Sequence, residues 1–149
     1  LVGSEMCIRD RVNDFDKNDY VDIIPAVGDM SYETMFRESS LMVTDFSGIQ
    51  FDFAYMRKPL VYLHHKDIPQ HYEEGTFFYD TMAFGEIAHD NDELIDLLCE
   101  YMASGCKMKE EYVRRADDFF YYNDHNNCKR IYDTMIEYQE KKILPYRQK

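Results

Sequence analysis

The sequence predicts an α/β fold with a parallel sheet. Short apolar runs alternate with stretches of helical periodicity, in the order strand, helix, strand, helix, strand. This alternation is typical of a parallel sheet whose strands are joined by right-handed helical crossovers. With 149 residues, 45% of them hydrophobic, the chain is large enough to bury a core and forms one domain at most.

The predicted strands are short apolar runs that end at a proline or at polar residues. They occupy residues 21–25, 41–44 and 60–63. The predicted helices begin at polar residues, such as the cap Ser31 and the cap Asp90 or Asn91, and repeat apolar residues at helical spacing. They occupy residues 33–38, 49–57, 92–102, 109–121 and 126–142. In the helix 92–102, the apolar face consists of Leu94, Leu97, Leu98 and Tyr101.

The two ends of the chain are excluded from the predicted domain. Residues 1–12 are expected to be a non-native leader, because residues 1–11 show no periodicity and resemble a translated sequencing adapter. Charged residues within this segment also break any apolar core of a signal peptide. The domain is expected to span residues 13–142, and residues 143–149 to be a frayed polar tail. A leader of this kind implies that the natural protein continues upstream.

Composition argues against several classes of function. The net charge of −12 is unsuited to a nucleic-acid surface, which needs clustered lysine and arginine. It also gives no electrostatic support for docking on anionic lipid, and no apolar run approaches the ~20 residues that span a bilayer. The four cysteines lie far apart without a C-x-x-C pair, which favours a reduced cytosolic chain over a zinc site or a disulfide framework.

The stretch 41–54 carries the strongest functional signal. An apolar run ends in Thr44-Asp45, and a polar turn with Ser47 and Gly48 leads into a helix. Such a turn points free main-chain N–H groups and the positive end of the helix dipole at one spot, which suits a phosphate. Ligands of open parallel sheets also sit beyond the carboxyl ends of the strands. The alternative is an ordinary strand-to-helix turn with a capping serine.

A second polar cluster follows the third predicted strand. His64, Asp67 and His71 are three potential metal ligands within a short stretch of chain. Pro69 breaks any helix through them, and no second cluster completes a coordination shell, so no metal site is predicted. Each histidine is expected to be a solvated loop residue, with a role in lining a ligand site as the alternative.

The polar turn and its flanks resemble a known family signature. Thr44-Asp45-Phe46-Ser47-Gly48, followed by residues 51–54 and 58–62, is similar to the T-D-Y-S-S…D…P signature of the CDP-glycerol glycerophosphotransferases. These are the teichoic-acid polymerases and primases of bacteria. The resemblance runs from about residue 19 to residue 136, and the later blocks match in the same order. It implies a Rossmann-like parallel sheet with flanking helices, the C-terminal half of a glycosyltransferase-B (GT-B) fold.

The resemblance also implies a site for a nucleotide donor. The turn would hold the diphosphate. Many GT-B enzymes carry a glutamate-alanine pair on this helix, seven residues before a proline, and the glutamate holds the donor ribose. Asp52-Phe53-Ala54 and Pro59 reproduce that spacing with the shorter acid, so Asp52 would hold the ribose. Two later blocks, R-G-x-Y and D-G-x-x-S-x-R, add further candidates. The implied nucleotide and diphosphate ligands are Asp45, Phe46, Ser47, Gly48, Asp52, Gly75, Thr76 and Arg130.

Both later blocks depart from the family's pattern. A glutamate replaces the arginine expected before Gly75, and the glycine and serine of the last block are absent, although Asp124 and Arg130 match. Arg130 suits a diphosphate, since its guanidinium forms paired hydrogen bonds, but a salt bridge on the terminal helix is the alternative. Phe77 and Phe78 would pack either against a base or in the core.

The implied reaction moves glycerol phosphate, or a related polyol phosphate, from a CDP-activated donor to a wall teichoic-acid or capsule-type acceptor. It releases CMP and needs a base near the acceptor hydroxyl. The family's catalytic histidines are expected upstream, so no catalytic residue is named, and no cofactor is expected. The intact enzyme is expected to be cytoplasmic and peripheral at the inner face of the cell membrane. Any membrane contact would come from the missing N-terminal GT-B domain.

Two alternatives stay open on the sequence. A GT-B glycosyltransferase that uses a nucleotide sugar would present a similar donor half, because both kinds of donor carry a diphosphate and a ribose. A non-enzymatic α/β binding module is the second alternative. The reading frame upstream of this chain would separate an enzyme from a module, since an enzyme needs a partner Rossmann-like half with a histidine-glycine block.

Overall fold

Residues 20, 21, 24, 31–67 and 77–141 are described by a computed structural model, and they fall into two units. The first unit ends at Ser39 and contains helix α1 (Tyr32–Glu38). The Ser31 hydroxyl caps this helix by accepting a hydrogen bond from the Thr34 main-chain N–H, as predicted. The segments 1–12 and 143–149, and most of the strand predicted at 21–25, lie outside the described residues.

The second unit contains strands that alternate with helices and two further helices at its end. In chain order these elements are β1 (Met42–Thr44), α2 (Ile49–Tyr55), β2 (Leu60–Leu63), α3 (Tyr79–Met82), β3 (Glu86–Ala88), α4 (Asn91–Ala103), α5 (Glu110–Phe119) and α6 (Asn127–Glu140). The predicted helices are all present, with ends that differ by one to a few residues. Strand β3 and the short helix α3 are additions that the sequence analysis does not predict.

The strands form one parallel sheet in the order β1-β2-β3. A parallel sheet with flanking helices confirms the predicted α/β, Rossmann-like class. Because parallel strands all end at the same edge, the segments that follow Thr44, Leu63 and Ala88 lie side by side. Hydrogen bonds extend this edge beyond the strands, since the His64 N–H donates to the Ala88 carbonyl at 2.9 Å.

Strand β3 escapes prediction because it is only three residues long and begins with a charged residue. The Glu86 carboxylate is satisfied within the fold: it accepts a hydrogen bond from the Tyr101 hydroxyl at 2.6 Å and forms an ion pair with Lys109. The preceding Gly85 lies against the neighbouring strand so closely that a Cβ atom would sit 1.7 Å from the Leu60 carbonyl oxygen. The strand therefore depends on contacts that are remote in sequence.

The core of the second unit lies on both faces of the sheet. Val61, Ala88 and Tyr101 form a buried cluster, against which Leu94 and Leu97 of α4 pack. The predicted apolar face of α4 is thus confirmed for Leu94, Leu97 and Tyr101. The largest fully buried side chains are Tyr62, Tyr101, Phe53, Phe84, Leu60 and Val61. Burial of each large apolar side chain stabilises the fold by about 1.5–3 kcal/mol.

Helix α2 ends earlier than predicted, at Tyr55, because Arg57 adopts a left-handed backbone conformation with φ of 57°. The Arg57 guanidinium then donates to the carbonyl oxygens of Ala54 and Tyr55 at 3.1 and 3.0 Å. It also donates to the Asp117 carboxylate of α5. A single side chain thereby caps the end of α2 and ties that helix to α5.

Aromatic rings fill the space between α2 and α5. Phe51 stacks on Phe119 with ring centroids 5.3 Å apart, and Phe77 meets Phe51 edge-on at 5.4 Å. Phe77 is therefore half-buried and packs in this aromatic cluster. Phe78 does not, because 52% of its surface is exposed. Among the described helices, none is long and apolar enough to cross a membrane.

Candidate functional site

Three polar segments meet at the carboxyl edge of the sheet. They are residues 45–48 after β1, residues 64–67 after β2, and residues 89–90 after β3. The second and third segments are joined through the main chain, since the Lys66 N–H donates to the His89 carbonyl at 3.2 Å. The first and second are joined by side chains, since the rings of Phe46 and His64 are stacked with centroids 4.0 Å apart.

The predicted turn offers hydrogen-bond donors at this edge. Within the part of the chain that the structure describes, the main-chain N–H groups of Ser47 and Gly48 have no hydrogen-bond partner. The Ser47 hydroxyl lies 3.5 Å from the Ile49 nitrogen, a long and weak capping contact. Asp45 and Gly48 are exposed, and Ser47 is half-buried. The turn can therefore present two N–H donors and one hydroxyl to an anionic group.

Gly48 is not required by the fold. Its backbone is helical, with φ of −63°, and a Cβ atom at this position would meet nothing within 4 Å. Helix α2, which follows, has only seven residues, so its dipole is small and the individual N–H groups matter more than the helix as a whole. A glycine without a structural reason is compatible with close approach of a ligand to the backbone.

Asp52 lies in the first turn of α2 and is exposed. Residues four apart share one face of a helix, so Asp52 lies on the same side of α2 as Gly48. Its carboxylate forms no ion pair with any residue that the structure describes. The turn and Asp52, both predicted as donor ligands, are thus brought to one side of the sheet edge.

His64 differs from the solvated loop histidine that the sequence analysis expects. Its ring is stacked on Phe46 and meets the ring of Tyr79 edge-on at 4.6 Å, with Tyr62 at 5.8 Å. Its Nε2 atom is buried and has no hydrogen-bond partner in the described structure. Burial lowers the pKa of His64, and the nearby Asp45 main chain opposes that shift.

A buried hydrogen-bond network, centred on the side chain of Gln50, joins the two tyrosines that contact His64, Tyr62 and Tyr79. Gln50 is only 3% exposed, and its amide oxygen accepts a hydrogen bond from the Tyr62 hydroxyl at 2.7 Å. Its amide nitrogen donates to the Tyr79 hydroxyl at 3.2 Å. The Tyr62 hydroxyl also accepts from the Phe84 main-chain N–H at 3.2 Å. The sequence analysis misses this network, although a glutamine among the apolar residues of a buried helix is a signal that could have indicated it.

Arg130 lies apart from the turn. Its guanidinium forms an ion pair with Asp124 and a hydrogen bond with Asn127. None of its contacts in the described structure involves residues 45–52. The salt bridge given as the alternative reading of Arg130 is therefore present, and a role in binding a diphosphate stays a prediction.

The remaining candidates are only partly covered by the structure. Gly75, Thr76 and His71 lie outside the described residues. His65 is half-buried, and its Nδ1 atom is 3.7 Å from the Asp67 carboxylate. In the described ranges, no group of three histidine, cysteine, aspartate or glutamate side chains could hold a metal ion.

Comparison with known proteins gives this geometry a family context. Residues 6–137 match the model of the CDP-glycerol:poly(glycerophosphate) glycerophosphotransferase family. The chain is also 36% identical over 136 residues to the minor teichoic acid biosynthesis protein GgaB of Bacillus subtilis (strain 168). That alignment covers 91% of this chain but only 15% of GgaB. No solved structure matches the chain. The extent of the family match shows that this chain belongs to the CDP-glycerol:poly(glycerophosphate) glycerophosphotransferase family.

Proposed function

We propose that this chain is the donor-binding part of a transferase that moves glycerol phosphate, or a related polyol phosphate. The donor is CDP-glycerol or a similar CDP-polyol, and the acceptor is a polyol-phosphate or glycan of the teichoic-acid or capsule type. Membership of the glycerophosphotransferase family supports the reaction class. The similarity to GgaB, whose name refers to teichoic acid biosynthesis, supports the class of acceptor.

The observation that carries this proposal is the pair of unpartnered N–H groups at Ser47 and Gly48. A diphosphate is rich in acceptor oxygens, and it would bind these donors together with the Ser47 hydroxyl. Asp52, on the same side of α2, would accept hydrogen bonds from the ribose hydroxyl groups. In this proposal the sugar and the diphosphate of one nucleotide would both lie at the start of α2.

In the proposed reaction, the site at the turn would bind the leaving group, CMP. The acceptor hydroxyl attacks the phosphorus atom that carries the polyol, the bond from that phosphorus to the oxygen of CMP breaks, and the hydroxyl proton passes to a base. N–H donors at the diphosphate stabilise the charge that develops on CMP. The base is expected in another part of the intact protein, together with a second Rossmann-like domain and any contact with the inner face of the membrane.

The test is isothermal titration of CDP-glycerol against the 149-residue chain and its variants. Ser47→Ala removes one hydrogen bond to a charged group, which contributes roughly 1.5–3 kcal/mol, and should weaken binding about tenfold to a hundredfold. Asp52→Ala should weaken CDP-glycerol and CDP alike, because both carry the ribose. Ser104→Ala and Asp92→Ala are matched controls, a serine and a first-turn aspartate of α4, and should bind like the parent.

Circular dichroism shows whether each variant folds. Loss of the weak Ser47 cap should leave the fold intact, since a cap contributes ~1 kcal/mol. If Ser47→Ala and Asp52→Ala both bind CDP-glycerol as the parent does, the donor site is not at this turn. Tighter binding of a UDP-sugar than of CDP-glycerol would instead indicate a nucleotide-sugar transferase.

A further inference from the structure

The imidazole ring of His64 packs against the start of the candidate donor turn. Its face is stacked on Phe46, with an angle of 15° between the rings. Its Nε2 atom is buried and has no hydrogen-bond partner in the described structure. Phe46 directly precedes Ser47, so the position of the ring influences where the turn begins.

Packing alone does not account for a histidine at this position. The ring lies among three aromatic side chains, Phe46, Tyr62 and Tyr79. A phenylalanine would fill the same space without leaving a nitrogen unpaired. A buried polar atom without a partner is costly, and such an atom in a native structure calls for an explanation. The feature that distinguishes histidine from phenylalanine here is that it can gain a proton.

We propose that His64 is a positioning residue for the donor turn, which it holds in place as a neutral ring and releases when it is protonated. This inference rests on the proposed donor-binding function of residues 45–48. It makes donor binding by this chain sensitive to mildly acidic pH. His64 does not contact the reacting atoms in this account, and it acts through its stacking contact with Phe46.

The charged and titratable groups around His64 support a neutral ring at neutral pH. Burial lowers its pKa, and His89, on the segment after β3, lowers it further. Asp45, on the turn after β1, raises the pKa through its nearby main chain and its charge. The rings of Tyr62 and Tyr79 also contact His64, and burial raises the pKa of the Tyr62 hydroxyl.

The sign of the pH effect follows from these shifts. His64 holds a proton less tightly in the folded chain than in the unfolded chain, where the pKa of a histidine is about 6.5. The stability associated with the neutral ring is therefore fully present above that pH and declines as the pH falls below it. A protonated ring also loses its fit among apolar aromatic neighbours. Donor affinity should fall with pH for the same reason.

The experiment measures the dissociation constant of CDP-glycerol at pH 7.5 and pH 5.0 by isothermal titration. CDP-glycerol is preferable to CDP, because the terminal phosphate of CDP itself titrates near pH 6. We expect the parent chain to bind roughly threefold to tenfold more weakly at pH 5.0. His64→Phe keeps the stacked ring but cannot be protonated, and should bind equally well at both values. His65→Phe, a change on the same loop away from the stack, should keep the pH dependence of the parent.

A second variant tests positioning separately from protonation. His64→Ala removes the stacked ring and should weaken CDP-glycerol binding about tenfold at both pH values. His64→Phe, which keeps a ring at this position, should bind as tightly as the parent does at pH 7.5. If His64→Phe keeps the pH dependence of the parent, or His64→Ala binds as tightly as the parent, the proposal is wrong. If His64→Ala does not fold, the comparison of the parent with His64→Phe still shows whether protonation of His64 causes the pH dependence.

NMR without ligand separates this proposal from the donor function. The amide signals of Ser47 and Gly48 should shift as the pH is lowered from 7.5 to 5.0 in the parent and remain constant in His64→Phe. If the parent shows these shifts but does not bind CDP-glycerol at either pH, the donor function is wrong. The coupling of His64 to the turn would still be supported. Amide signals that titrate equally in both proteins would contradict the coupling itself.

Discussion

Arg130 and Asp124 form a two-point ion pair in which Nη1 donates to Oδ2 at 3.0 Å and Nη2 donates to Oδ1 at 2.7 Å. Nη2 also donates to the Asn127 side chain at 2.7 Å, and the guanidinium lies 3.7 Å from the centre of the Tyr122 ring. The paired residues are the two that match the family's last block. They hold the polar turn before α6 against the first turn of that helix.

This pair should stabilise the chain in a way that depends on pH and salt. Arg130→Gln and Asp124→Asn should each lower the melting temperature, and the double variant should lower it little further, because both changes remove the same interaction. The guanidinium lowers the pKa of Asp124. The stabilisation is therefore present above about pH 4 and is lost as the pH falls below that value.

Thermal melts followed by circular dichroism at low and high salt measure this effect. High salt should shrink the difference between parent and variants, because Asp124 is exposed and Arg130 is partly exposed to solvent. Additive effects of the two single changes would contradict a shared interaction. Titration of CDP-glycerol against the same variants tests whether Arg130 binds the diphosphate. If it does, Asp124→Asn should not weaken donor binding, because the guanidinium is then free. Arg130→Gln should weaken donor binding.

Gly85→Ala should destabilise the fold strongly. The added Cβ would lie 1.7 Å from the Leu60 carbonyl oxygen, a contact with rigid main chain that only a shift of the sheet could relieve. Overpacking of this kind costs about 1–3 kcal/mol or more, and the main-chain clash favours the upper end. Urea denaturation measures the loss. Gly48→Ala is the matched control, since its Cβ would meet nothing within 4 Å, and equal stability losses for the two changes would contradict the packing described here.

Gln50 and Tyr62 should be coupled energetically. Gln50→Leu leaves the Tyr62 hydroxyl without its buried acceptor, and Tyr62→Phe leaves the Phe84 N–H without its side-chain acceptor. Each change should lower the free energy of unfolding by about 1–3 kcal/mol. The double variant should be less damaging than the sum by at least roughly 0.5 kcal/mol. A double-mutant cycle with urea denaturation measures this term, and strict additivity would contradict the network.

The 149-residue chain alone should bind the donor without transferring it. The proposed donor contacts lie in this chain, whereas the family's catalytic histidines are expected in another part of the protein. Purified chain incubated with CDP-glycerol and a lipid-linked acceptor should release no CMP above background. Turnover by this chain would mean that a base lies within it, and His64 and His89 at the carboxyl edge would then be the first side chains to substitute.

Local signals in the sequence determined most of the secondary structure. Ser31 and Asp90 cap α1 and α4 as predicted, because a cap depends on residues three positions away. The alternation of strand and helix likewise indicated a parallel sheet, and the turn 45–48 was identified as a site with free N–H donors. Each of these predictions rests on neighbours within a few residues along the chain.

Tertiary structure decided the features that depend on distant residues. Strand β3 exists because Gly85 can lie against Leu60, and the charge at its start is satisfied by Tyr101 and Lys109. Sequence pattern could not reveal these contacts, since the run itself is too short and too polar to predict a strand.

The surroundings of His64 depend on tertiary structure in the same way. The sequence placed this histidine in a polar loop, but the fold stacks it on Phe46 and leaves its Nε2 buried. Parallel strands that are separate in sequence end at one edge, so side chains from different loops come together there. The chain's local pattern fixes which residues reach that edge, and only packing across the sheet decides which of them lose contact with water.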